Sequence, residues 1–258
     1  MKFSFFIDDW YALAPGLDCN EAWYAWAEQE SICIQTDEPL IKCKHMPMMQ
    51  ARRLMSGCRY AVECGLELWG RNTSVNAVVF SSQHSELERN FNILQAIVQD
   101  SEVSPTDFAM SVHNAAAGTL SIIAKTHVPM SAVSAGADTF LQALVEVQTL
   151  FAKGYDRVLL VDFDGNIPGY YKKYLGEVRF PYVAGFVLTP DKQWLCNTKD
   201  TKIQRAEVQQ VHTETSAKDG DVFIPDSLKF LHLILRREET FTLIGMRQLW
   251  CWEKVPGL

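Results

Sequence analysis

Short apolar runs alternate with helical stripes along most of the chain. Residues 3–7 predict a short strand, and residues 8–15 lead away from it. Met48, Ala51, Met55, Cys58, Val62 and Leu66 recur at three- and four-residue steps, which predicts a helix over 46–69. Pro47 suits its start and Gly70 its end. Ala77–Ser81 reads as a buried strand. Ser85 and Glu88 form a capping-box pattern for a helix whose core face is Leu87, Phe91, Leu94 and Val98. Ser104-Pro105, with Asp107 in the first turn, opens a segment running through Phe108, His113 and Asn114 toward Ala124.

Residues 128–133 are strand-like, and Gly136 then breaks the pattern. Ala137, Phe140, Leu141, Leu144, Val147 and Phe151 mark the apolar stripe of the next helix, which Gly154 stops. Residues 157–161 and 182–188 predict two buried strands. Strands separated by helices indicate an α/β layered fold. After Pro190 the texture changes. Residues 192–217 are polar and β-prone, 226–237 predict a helix packed through Leu228, Leu231 and Leu235, and 241–244 and 249–252 predict closing strands. Asp219-Gly220-Asp221 reads as an exposed turn.

Composition narrows the class. Of 258 residues 48% are hydrophobic, enough for a sizeable core. The net charge of -7 comes without a basic stripe, which argues against a nucleic-acid partner. The seven cysteines lack metal spacing and predict reduced, buried thiols in the cytoplasm. The start lacks the pattern of a signal peptide, and no run approaches the ~20 apolar residues of a membrane span.

The informative stretch is 104–165. A strand turning sharply into a helix sets one side chain among free N–H groups at the positive end of a helix dipole, where enzymes activate a nucleophile or hold an oxyanion. The run Ser131-Ala132-Val133-Ser134-Ala135-Gly136, with the long helix, Gly154 and the strand after it, resembles the nucleophile turn of the β-ketoacyl synthases, roughly Thr-Ala-Cys-x-Ser-Gly. Ser131-Ala132 matches Thr-Ala and Gly136 the glycine, so the cysteine position falls on Val133, which carries no nucleophile. Upstream, Ser104, Pro105, Thr106, Phe108, Ser111, Val112, His113, Asn114 and Ala115 are similar to blocks of the chain length factors found with aryl polyene pathways.

The resemblance is good over roughly residues 70–190 and loose over 1–69. It implies a thiolase-like fold, mainly the N-terminal ketosynthase half (1–190), with a reduced C-terminal part (191–258) packed on the same core. The two catalytic histidines of active ketosynthases have no match: His212 has the wrong flanks, and His232, inside an apolar run, reads as a satisfied core residue. The implied role is a subunit without catalysis or cofactor, heterodimerised with an active β-ketoacyl synthase and meeting an acyl carrier protein through that complex. Phe108 and then Met110 are the implied tunnel-wall residues, with an ordinary core phenylalanine as the plain alternative for Phe108. Val128, Met130, Ser131, Val133 and Ser134 are implied at the interface strand and turn, and His113 and Asn114 in a structural or interface role.

Two other patterns compete. Ser134 fits a relaxed nucleophile elbow of a serine hydrolase, with Asp162 or Asp164 and His212 or His232 as partners; its plain alternative is a cap of the helix over 135–152. Residues 158–166 look like a phosphatase strand; the plain alternative is a turn with Gly165 at positive φ and both carboxylates in water. Trp23, Trp26, Met46, Met48 and Met49 read as core or interface filler.

Overall fold

The computed structural model describes residues 1–37, 43–175, 177–200 and 222–256. Its centre is a mixed seven-stranded sheet in the order β3-β2-β4-β5-β7-β6, with β1 (Lys2–Leu13) antiparallel to β5 (Tyr182–Asp200). The buried β2 (Ala77–Ser81) pairs in parallel with β3 (Met130–Val133) and β4 (Val158–Asp164). The first part of β5 pairs with β4, and its later part with β7 (Gln248–Lys254), which β6 (Thr240–Ile244) borders. β5 runs unbroken through residue 190, so the strands after it extend the same sheet.

Helices cover both faces. α1 (Asn20–Ala27), α7 (Thr139–Ala152) and α9 (Asp226–Leu235) bury Trp23, Trp26, Phe140, Leu144, Leu228 and Phe230 on one side. α3 (Ser56–Arg71) and α6 (Ala115–Ala124) bury Val62, Leu68, Ala116 and Leu120 on the other. The remaining helices are α2 (Met48–Ala51), α4 (Leu87–Val98), α5 (Pro105–Ala109) and α8 (Gly169–Lys172).

Several expectations are corrected. β1 continues to Leu13 because register shifts at Phe5/Phe6 and Ile7/Asp9 accommodate its charged stretch, Asp8 pairing with Arg157 and Asp9 with Arg71. The helix over 46–69 is split in two, because the Leu54 and Arg53 carbonyls bond the guanidinium groups of Arg59 and Arg89. Gly70 lies inside the last turn, and Asn72, bonding the Leu68 carbonyl at 2.9 Å, closes the helix.

The capping box does not form. Ser85 has φ 45° and bonds toward Ser82 and His113, while Glu88 accepts from Ser56. The apolar stripe of α4 is not core: Leu94 is exposed and Val98 is 85% exposed. The segment after Ser104 breaks between Ala109 and Ala115, so His113 and Asn114 lie in a connection rather than on a helix. The strand expected over 128–133 begins at Met130, and Ala137 is exposed.

Ser134 does not cap the helix, and α7 has no side-chain cap; Thr139 instead ties the preceding turn, its Oγ1 accepting from the Ala135 N–H at 3.0 Å and donating to the Gly136 carbonyl at 2.7 Å. Gly165 is not at positive φ. Close packing requires it, since a Cβ on Gly165 would lie 2.9 Å from the Gly57 nitrogen. Only Cys58, Cys64 and Cys196 are buried, while Cys19 and Cys33 are exposed. Met48 and Met49 are exposed, unlike Met46. His232 is buried edge-on to Trp26, with neither ring nitrogen hydrogen-bonded. His212, most of 192–217 and the Asp219–Asp221 turn lie outside the described residues.

Candidate functional site

The site is the turn from β3 into α7. Among the described residues β3 is an edge strand, bonded to β2 on one side only, with Val133 its last residue opposite Ser81. The chain passes through Ser134 and Ala135 into one 3-10 turn, Gly136–Asp138, and then α7. Gly136, at φ +61°, stands at the sharpest point of the bend. It is exposed, and a Cβ built there would meet nothing within 4 Å. The left-handed backbone favours glycine. The turn is held by Thr139 and by Asp138, whose Oδ1 accepts from the Met246 N–H at 2.8 Å in the β6–β7 turn. The bend thus points at a helix N-terminus, but neither Val133 nor Gly136 carries a nucleophilic atom.

The other implied residues scatter around this bend. Ser131 donates to Glu146 at 2.9 Å, while Val128 and Met130 pack partly into the core on the α3/α6 side. Ser134 is exposed and, among the described residues, its hydroxyl reaches only the Gln83 carbonyl, at 3.5 Å. The His113 ring lies 3.1 Å from the Ser82 carbonyl through Nε2, and Asn114 is exposed at the start of α6 without a side-chain cap. Met110 is half-buried against the α3/α6 core, whereas Phe108 is 70% exposed on α5.

Beneath the bend lie two carboxylates at the end of β4. Asp162 is 2% exposed. Its Oδ1 accepts from Ser81 at 2.5 Å, and its Oδ2 accepts from Ser227 at 2.6 Å and Tyr182 at 3.0 Å. Burial pushes its carboxyl up to about 7, although all three hydroxyls favour the anion. The same burial raises Tyr182 well above its ordinary value. Asp164 Oδ1 accepts from the Ser82 hydroxyl at 2.6 Å and the His84 N–H at 2.8 Å. Both carboxylates are engaged inside the protein, contrary to the solvated turn expected. Among the described residues no hydrogen bond links Ser134 to a histidine, and no cluster of ligating side chains could hold a metal.

Sequence reasoning missed this buried network. The Ser81/Asp162 register pairing becomes visible only once β2 is set beside β4. It also missed Arg89, the buried residue of α4, which holds Glu86 at 2.8 Å and also Asp107. A lone arginine within a helical apolar stripe was its only trace.

Residues 23–253 match the family described as "Beta-ketoacyl synthase, N-terminal domain". A search of curated proteins finds no match. Among solved structures, the chain is similar to a chain of the ketosynthase (ApeO) in complex with its chain length factor (ApeC) from Xenorhabdus doucetiae. Identity is 40%, with 98% of this chain and 100% of that one covered at a TM-score of 0.87. It also resembles in fold the ishigamide ketosynthase/chain length factor, at 11% identity, TM-score 0.74 and 98% and 99% coverage. A third similar structure is the type II PKS acyl-carrier protein in complex with its ketosynthase bound to the hexaketide, at 9% identity, TM-score 0.67 and 99% and 100% coverage.

Proposed function

The chain belongs to the beta-ketoacyl synthase N-terminal domain family, and on that footing we propose that it is a non-catalytic, chain-length-factor-like subunit that pairs with an active ketosynthase and shapes its acyl tunnel. The carrying observation is the bend between β3 and α7. Its backbone has the form that activates a nucleophile, yet its tip is a bare glycine and the strand before it ends in valine.

Exposed apolar surface supports the pairing. β3 has a free edge. Leu94, Ile97 and Val98 on α4, Phe108 on α5, Val112 before α6 and Ile122 on α6 are all exposed. A chain working alone would leave this apolar area in water. Phe108 is the tunnel-wall residue of this reading: its ring projects from a fixed backbone and would occupy space that a growing chain needs. The 40% identical relative comes from a ketosynthase–chain length factor complex, which favours a heterodimer. Carrier-bound acyl groups would reach the complex through the partner in the cytoplasm. No described helix is long and apolar enough to cross a membrane. Residues 191–258 are read as the reduced second half, completing the sheet through β6 and β7.

Co-expression with a partner ketosynthase tests this. The expected result is a one-to-one complex and no mass increase on this chain after incubation with acyl-loaded carrier protein. Acylation of this chain alone, or labelling of Ser134 by a fluorophosphonate, would overturn the reading.

A further inference from the structure

Phe108 is exposed, yet the backbone beneath it is fastened from several sides. Ser104 caps α5 by accepting from the Asp107 N–H at 3.3 Å. The Ser111 hydroxyl donates to the Phe108 carbonyl at 2.8 Å, and Asn90 on α4 reaches the Ser111 carbonyl at 3.4 Å. The strongest tie is Arg89. It is 1% exposed, and its guanidinium meets three groups at once: Glu86 at the start of its own helix at 2.8 Å through Nε, Asp107 of α5 through Nη1, and the Arg53 carbonyl between α2 and α3 at 2.7 Å through Nη2.

Burying an arginine is costly unless its donors are paired. Here they are paired, by Glu86 at the start of the same helix and by two groups from other segments of the chain. α5 is five residues long and buries none of them, so its own residues supply little apolar packing. Beside the half-buried Met110 and the Asn90–Ser111 bond, the Arg89–Asp107 pair is the charged tie that fixes α5 against α4. A planar fork fixes direction as well as distance, which an ammonium group would not.

We infer that Arg89 is a positioning residue: acting through Asp107, it sets where Phe108 projects toward the partner and so where chain growth stops. This rests on the tunnel-wall reading of Phe108. Asp107 is the better handle, because it is partly exposed and its removal leaves Arg89 paired with Glu86 and Arg53.

The test reconstitutes the full chain with a partner ketosynthase and measures the proportions of product lengths, together with total product, for Phe108→Ala, Asp107→Ala, Asp107→Asn and Arg89→Lys. Phe108→Ala and Asp107→Ala are expected to move the proportions toward longer products. Asp107→Asn, which keeps an acceptor oxygen, should restore much of the original distribution. A merely structural role for the pair would lower total product and leave the proportions unchanged, which would overturn the inference. If Phe108→Ala shifts the lengths and Asp107→Ala does not, the positioning role fails and the tunnel-wall reading stands. If neither shifts them, both fail. Should Asp107→Ala give no complex, Arg89→Lys is judged by the same proportions.

Discussion

Asp162 carries a pH-dependent burden that its neighbours only partly relieve. It sits in the sheet with three hydroxyl donors and no cation among its described contacts. Burial, helped by the nearby Asp164 charge, raises its carboxyl from 3.8 to about 7 in the folded protein. The folded state therefore keeps a proton that the unfolded chain has lost between those two values. Stability falls as pH rises through that window, and the full contribution exists only below the unfolded value.

At ~1.4 kcal/mol per pH unit, raising the carboxyl from 3.8 to about 7 corresponds to about 4 kcal/mol between solutions below the first value and above the second, an upper bound for one buried group. Asp162→Asn removes the titration and keeps the shape, since serine and tyrosine hydroxyls can turn to accept from an amide. Urea unfolding of both proteins, followed by tryptophan fluorescence across this pH range, isolates the effect because other titrating groups cancel in the difference. The variant is expected to gain on the parent steadily as pH rises, with most of the gain complete by about pH 8. A difference that stays flat with pH would show that Asp162 titrates alike in both states and would refute the reasoning.

Three further outcomes are expected. Gly57→Ala should destabilise the fold by about 1–3 kcal/mol or more, because its Cβ would press on the Gly165 backbone, which cannot rotate away; thermal melting measures this. Gly136→Cys should be alkylated by iodoacetamide faster than Val133→Cys, because position 136 opens to free space at a helix N-terminus whereas position 133 is half-buried in β3; peptide mass spectrometry separates both from the exposed Cys19 and Cys33. Equal rates would contradict the geometry of the bend. Leu94→Lys or Val98→Lys should weaken association with a ketosynthase while leaving the chain folded, read by gel filtration and circular dichroism, since both side chains are exposed.

The sequence by itself determined the elements whose burial is complete. Ala77–Ser81, the strand beginning near Val158, the helix through Phe140, Leu144 and Val147, and the stop at Gly154 all stand where hydrophobic periodicity placed them, because full burial leaves one pattern per element. The kinship with ketosynthases was legible too, carried by a run of short motifs rather than by a whole-chain pattern. Tertiary structure decided the rest, wherever a residue's role depends on a partner distant in the chain. Leu94 and Val98 look like core on a helical wheel, but no layer among the described residues covers them. Asp162 and Asp164 look solvated at a strand end, but Ser227 and the loop after β2 close over them. Arg89 looks like a surface charge until α5 and the loop before α3 converge on it. Local periodicity reports which face a residue shares with its neighbours, while what meets that face is settled only when the sheet order brings remote segments together.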